Sequence, residues 1–366
     1  MQKPLTILHT EASCGWGGQE IRILTEMAGM NARGHRTMLI CPAESNIYRE
    51  AQERGLDAHA LPIGKKRLPG LLALRAWLQQ QHVDVINTHS STDSWLAALA
   101  CKTLRRAPPI VRTRHISAPI NNKGSTRWLY QEATQFIVTT GERLRETLIR
   151  ENRYDPERIL SVTTGIDSQR FVPGDKQMAR QVLGLGQGPI IGIVATMRGW
   201  KGHSFLLEAF AKLQNPQAQL VMVGHGPQYD NLRALAESLG ISGQVLMPGN
   251  QQDVVPWLQA LDCFVLPSWA NEGVPQAMLQ AMFVGLPIIT TDVGSITEAI
   301  SHGNNGLIVP TKDSTALLQA ITQLLQTPAL AMEMGRQARA TALERFDFVR
   351  MIDKMEHVFE RVVVGH

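Results

Sequence analysis

Short apolar runs alternate with stretches of helical period along nearly the whole chain, and this alternation restricts the fold more than any other feature of the sequence. In the first half the strand-like runs are residues 5–9, 37–41, 83–88, 110–114 and 136–140. Between them lie helical patterns at 19–33 (Ile21, Leu24, Met27 and Ala28 on one face), 69–81, 92–104 and 141–150. Strands separated by crossover helices pair in parallel and bury both faces of the sheet. The second half repeats the pattern, with strand-like runs at 190–195, 220–224, 245–247, 263–266, 288–291 and 306–309. The expected fold class is therefore α/β, with two Rossmann-like parallel-sheet domains.

Residues 168–189 carry four glycines and two prolines around one short helical pattern, which marks the boundary between the halves. The expected division is 1–168, 169–345 and a last helix over 346–366. That helix follows a break near Phe346-Asp347 and is expected to cross back to the first domain.

Charge separates the two halves. Lys and Arg outnumber Asp and Glu by 23 to 16 in residues 1–170 and are outnumbered 13 to 16 in 171–366, so the net +4 divides into +7 and −3. A basic first half suits an anionic partner: a phosphorylated acceptor, an acidic lipid surface or nucleic acid. The run Lys65-Lys66-Arg67 before Leu68-Pro69-Gly70-Leu71-Leu72 could touch a membrane surface, and equally suits a solvated loop ahead of a helix. No signal-peptide pattern opens the chain, and no apolar stretch reaches the roughly 20 residues of a spanning helix. Cys14, Cys41, Cys101 and Cys263 are scattered without metal-ligand spacing, as expected of free thiols in a reducing cytosol.

The chemistry-bearing residues gather at strand ends. After the run that closes at Pro267, Asn271-Glu272-Gly273-Val274 forms a strand-to-helix loop, and Pro275 suits the first turn of the helix that follows. Ligands of open α/β sheets sit at such carboxyl ends, where free helix N–H groups favour an anion. Glu272 would present a carboxylate there and Gln280 an amide along the same wall, although an ordinary βα loop can look alike. Arg198 and Lys201 share one loop, with Gly199 and Gly202, and two such cations suit a diphosphate. Gly224-His225-Gly226-Pro227 makes another close-approach loop. In the first half, Gly15-Trp16-Gly17-Gly18 precedes a helix and could bring backbone N–H groups to a phosphate, without matching a dinucleotide fingerprint or P-loop. Asn87-Thr88-His89 and Arg112-Thr113-Arg114-His115 end two further strands. His115 could face a cleft and move a proton, or simply pack. No Asp-x-Asp pair, nucleophile elbow or Ser-His-Asp order occurs.

Taken in order, these motifs resemble the retaining, nucleotide-sugar-dependent glycosyltransferases of family 4, which have the GT-B fold. The matching pieces are Gly17-Gly18, Thr164-Gly165-Ile166-Asp167 with Phe171-Val172-Pro173, Arg198 with Lys201-Gly202, and Gly224-His225-Gly226-Pro227. Glu272-Gly273-Val274-Pro275 with Gln280-Ala281-Met282, Val293-Gly294-Ser295 with Glu298, and Asn305-Gly306-Leu307-Ile308-Val309 complete the set. The resemblance implies two domains facing across a cleft, with the donor held mainly by the second and the acceptor approached from the first. It implies that Arg198 and Lys201 neutralise the departing diphosphate without a metal or other cofactor. Glu272 would bind donor sugar hydroxyls, with Gly273 and Val274 N–H groups near sugar or phosphate. His115 would approach the donor sugar as the second catalytic residue, and the Gly17-Gly18 loop would close over the phosphates. Gly224 and Gly226 join the donor side, His89 and Arg114 the acceptor side. Two positions depart from the family pattern: Gln280 replaces the second glutamate of an E-x7-E motif, and Thr164 stands where asparagine is common.

The expected activity is retaining transfer of a sugar from a nucleoside diphosphate sugar to an acceptor hydroxyl in lipopolysaccharide, glycolipid or polysaccharide synthesis. The expected location is the cytoplasm, with peripheral contact at an acidic membrane face and no nucleic-acid partner. A nucleotide-sugar epimerase of the same fold and a non-catalytic sugar- or partner-binding protein are the alternatives.

Overall fold

The alternation resolves into two all-parallel sheets. The computed structural model describes residues 3–116, 118–270 and 272–365. One unit comprises the chain up to Gly165 together with the segment from Val349 onward; the other is Ile166–Phe348.

In the first unit the strands are β1 (Thr6–Thr10), β2 (Arg36–Cys41), β3 (Ala58–Ala60), β4 (Val85–Thr88), β5 (Ile110–Arg114), β6 (Phe136–Thr139) and β7 (Ile159–Ser161). They lie in the order β3-β2-β1-β4-β5-β6-β7, every pair parallel. Alternate residues feed opposite faces: Met38 and Ile40 join one apolar cluster, Leu39 and Cys41 the other. β3 and β7 are the edges of this sheet and were not expected from the sequence. Each is three residues long, too short to show a period.

The second unit contains β8 (Ile190–Val194), β9 (Gln219–Val223), β10 (Val245–Gly249), β11 (Cys263–Leu266), β12 (Ile288–Thr291) and β13 (Gly306–Val309), in the order β10-β9-β8-β11-β12-β13. β10 runs past the expected 245–247 through Pro248, which an edge strand tolerates because one side of its backbone needs no partner. The helix after β11 spans Gln276–Val284, with Pro275 as its N-cap and not inside its first turn.

In each sheet the chain moves outward on one side of its first strand and then returns to the other side. The strand order reverses between β1 and β4, and again between β8 and β11. Loops diverge at such points and leave a crevice at the carboxyl ends.

Helix Phe348–Val364 completes the first unit. Met351, Ile352, Met355, Val358, Phe359 and Val362 recur at helical spacing and are buried. Arg22, wholly buried on the Gly18–Ala32 helix, donates to the Val162 carbonyl at 2.7 Å and to Thr164 Oγ1 at 3.3 Å, and its Nη2 lies 3.9 Å from Met355 Sδ. Thr164, the departure noted above, therefore supplies a hydroxyl acceptor to this arginine. Beside it, burial pushes the Glu26 carboxyl up to about 7, against the pull of Arg22 and Asn87.

Candidate active site

In the second unit, the loops after β8 and β11 lie side by side at the switch point. Gly202 makes this approach possible: its φ is +77°, and a Cβ there would stand 2.0 Å from the Pro267 carbonyl oxygen. Trp269 ties the loops together, its backbone N–H donating to the Trp200 carbonyl at 2.8 Å and its indole N–H to the Gly199 carbonyl at 3.0 Å. Lys201 Nζ then reaches both Glu272 oxygens, at 2.6 and 2.9 Å, and Ser268 Oγ donates to Oε1 at 2.6 Å. The carboxylate is only 4% exposed, so the lysine is its counter-charge and not a distant neighbour. Arg198 is exposed, its guanidinium 5.2 Å from the Trp200 ring centroid.

Five other expected donor-side residues belong to the same unit. Gly273 and Val274 are buried in the turn that leads to the Gln276–Val284 helix, and Gln280 is buried one turn into it. Asn271 lies outside the described residues. Gly224 and Gly226 follow β9, and the close approach they permit is to protein: Cβ atoms there would meet the carbonyl oxygens of Ala195 at 2.1 Å and Met197 at 2.7 Å. Sequence reasoning gave no role to Ser268, although its four-residue spacing to Glu272 was visible. It also gave none to Lys312, whose Nζ lies 4.2 Å from the Trp269 ring centroid.

In the first unit, His9, His89 and His115 form a chain across the ends of β1, β4 and β5. His9 Nδ1 lies 3.0 Å from His89 Nε2, and His89 Nδ1 lies 2.9 Å from His115 Nε2. Burial is the main reason all three titrate below the ordinary histidine range, His9 at about 3; for His115 the charges of Arg22 and Arg114 add to it. They are neutral rings near pH 7. Asp93 accepts from Thr10 Oγ1, the His89 and Ser90 backbone N–H groups and Ser90 Oγ, which fixes the end of β4. Gly17 is the extended N-cap of the Gly18–Ala32 helix. Glu11, the residue after β1, accepts from the Ser13 N–H and the Gln19 amide. Burial, with Asp93 and Glu20 nearby, pushes its carboxyl up to about 8. Arg114 donates to Tyr130 Oη and to the Ala118 carbonyl, both at 2.8 Å, and so braces the loop that carries His115.

Comparison with known proteins covers almost the whole chain. Residues 175–341 match the family described as Glycosyl transferases group 1, and residues 16–170 match Glycosyltransferase Family 4. D-inositol 3-phosphate glycosyltransferase of Mycobacterium leprae is 30% identical over 313 residues, spanning 78% of this chain and 70% of the relative. Among solved structures, HepE from Anabaena in complex with UDP-glucose superposes with a TM-score of 0.87 at 21% identity, over 98% of this chain and 100% of that one. A glycosyltransferase from Rickettsia africae gives 0.86 at 20% identity, over 99% of both chains. With a parallel seven-stranded and a parallel six-stranded unit, the fold is GT-B, and the chain belongs to the glycosyltransferases of family 4, within the glycosyl transferases group 1.

Proposed function

We propose that this glycosyltransferase moves a sugar, with retention and without a metal, from a nucleoside diphosphate sugar to an acceptor hydroxyl. The observation that carries the reading is the Lys201–Glu272–Ser268 cluster beside the exposed Arg198, at the carboxyl ends of two switch-point strands. In the reaction the bond from the anomeric carbon to the diphosphate oxygen breaks. The acceptor oxygen bonds to the same face of that carbon, and the acceptor proton passes to the departing diphosphate. Arg198 and Lys201 supply the positive charge that the leaving group needs. Glu272, held by Lys201 and Ser268, keeps lone pairs for donor sugar hydroxyls. Gln280 would meet the ribose with an oxygen acceptor and an N–H donor, where a second glutamate would only accept.

A thermal-shift panel of nucleoside diphosphates and their sugars, run without metal and then with magnesium, tests this reading. Uridine compounds come first because the Anabaena neighbour holds UDP-glucose. At about 100 times its dissociation constant a ligand stabilises by about 2.7 kcal/mol. We expect a clear shift with one base, independent of magnesium and lost when Arg198 and Lys201 are both replaced by alanine. No shift with any compound, or one that requires magnesium, rejects the scheme.

The basic first unit supports an anionic acceptor, carried on a glycolipid, lipopolysaccharide or polysaccharide precursor and met at the cytoplasmic face of a membrane. Lys65, Lys66 and Arg67 are exposed next to Leu68 and Leu72, which are 64% and 53% exposed. At about 1 kcal/mol per basic residue near an anionic surface, changing all three to glutamate should weaken vesicle partitioning on the order of 100-fold or more. Equal sedimentation of both proteins with anionic vesicles would rule this patch out as the contact.

A further inference from the structure

Arg112 and Arg114 point to the same face of β5, being two residues apart on one strand. This is the face that packs on the apolar cluster containing Ile110 and Tyr130. The Arg112 guanidinium stacks on the Tyr130 ring at 4.4 Å, and the hydroxyl of the same ring accepts from Arg114 Nη1. Tyr130 belongs to a π-helical turn, Trp128–Glu132, a rare geometry that is frequent at functional sites. Its other stacking partner is Tyr154, 5.4 Å away between centroids.

Three polar atoms around this ring are buried without a hydrogen-bond partner among the described residues: Arg112 Nη1, Arg114 Nε and Tyr154 Oη. Arg112 is the most telling. It is 3% exposed, and its Nη1 has no hydrogen-bond partner among the described residues. A buried charge is normally paired, because desolvation without compensation costs several kcal/mol. Asp93 attracts it electrostatically, but the Asp93 oxygens are taken up by the four neutral donors of the β4 end and give Arg112 no hydrogen bond. Lys66 adds an exposed cation within electrostatic reach of Arg112, held by Ser91 Oγ at 3.1 Å. The cluster thus sets three cations, Arg112, Arg114 and Lys66, against the one carboxylate of Asp93 and adds three unmet hydrogen-bonding groups.

We propose that Arg112, Arg114 and Tyr154, with Lys66 at the rim, form an oxyanion site in the first unit that takes the phosphate-class group of the acceptor. The site itself stands on the buried cluster alone; only its assignment to the acceptor rests on the function proposed above. Arg112 offers the forked donor geometry that a tetrahedral oxyanion matches. The Tyr154 hydroxyl can complete the set as a neutral donor.

The experiment uses the full chain carrying Arg198→Ala and Lys201→Ala, so that the proposed donor site takes no phosphate. Inorganic phosphate is titrated calorimetrically into this protein and into the same protein with Arg112→Met. We expect saturable binding in the first and a loss of roughly ten- to 100-fold in the second, the worth of one or two charge-assisted hydrogen bonds. The melt without phosphate supplies an independent readout. A structural arginine would lower the melting temperature when replaced. One poised for an outside anion should leave it nearly unchanged, because methionine fills similar volume and Asp93 keeps its own four hydrogen bonds. Non-saturable uptake of phosphate, equal uptake by both proteins, or a melt lowered by several degrees in the Arg112→Met protein overturns the site. If phosphate binds as expected but the parent protein uses phosphorylated and unphosphorylated acceptors equally, the site stands and its assignment to the acceptor falls.

Discussion

Replacing Glu272 by glutamine is expected to lower kcat by roughly 100- to 1000-fold while leaving nucleoside diphosphate affinity equal or tighter. The divergence follows from the hydrogen bonds. Lys201 donates to both oxygens of Glu272, and Ser268 donates to one of them. In glutamine one of those oxygens becomes an N–H donor facing an ammonium donor, so the lysine must turn away. It is then free of its counter-charge and available to a diphosphate. The donor sugar, by contrast, loses the carboxylate that would accept its hydroxyls. Lys201→Ala should act in the opposite sense on binding. It strands a carboxylate whose side chain is 6% exposed, a change worth roughly 3–5 kcal/mol when a buried pair is broken, and leaves negative charge facing the phosphates. Calorimetry with the nucleoside diphosphate and steady-state kinetics on both variants separate the cases. Parallel loss of diphosphate affinity in the two would make Glu272 a structural partner of the lysine and nothing more.

That pair shows how far the sequence can be read. Glu272 and Lys201 stood out individually, each at a strand end beside glycine, because local composition reports loops and helix starts. Their contact did not, since 71 residues separate them. It exists because β11 returns to the free side of β8, and strand order leaves no mark in local periodicity. Four strands were legible for the opposite reason: Ile110–Arg114, Cys263–Leu266, Ile288–Thr291 and Gly306–Val309 coincide with runs that open on apolar or small residues and are bounded by turn signals. The three-residue strands β3 and β7 carry no such pattern, and β10 was cut short because proline usually ends a strand. Arg112 was read as part of a strand end, with nothing to indicate a buried guanidinium; an arginine in an alternating run is as easily solvent-facing. His9 was passed over entirely, being the last residue of an apolar run, and only the adjacency of β1 and β4 sets it against His89.

The second large effect concerns a residue that touches no ligand in the proposed scheme. Gly294 has φ +59°, and a Cβ added there would stand 1.9 Å from the carbonyl oxygen of Glu272 and 2.7 Å from its carbonyl carbon. Both atoms are backbone, so no rotamer change can relieve the overlap and the Glu272 loop itself must move. Gly303 is the matched control: its φ is +78°, yet nothing lies within 4 Å of the added atom. Gly303→Ala therefore meets only the left-handed backbone penalty, about 1–2 kcal/mol, and should keep its turnover. Gly294→Ala carries that penalty and also displaces the carboxylate that Lys201 and Ser268 hold. A displacement on the order of 1 Å costs about 100-fold in rate when the group positions substrate. Kinetics and thermal melts of the two variants measured together isolate the displacement from the strain. If the two alanines lower the melt alike and leave turnover alike, the placement of Glu272 is not what the reaction depends on. A selective loss of kcat in Gly294→Ala would instead tie the rate to the position of one carboxylate, through a contact made by backbone alone.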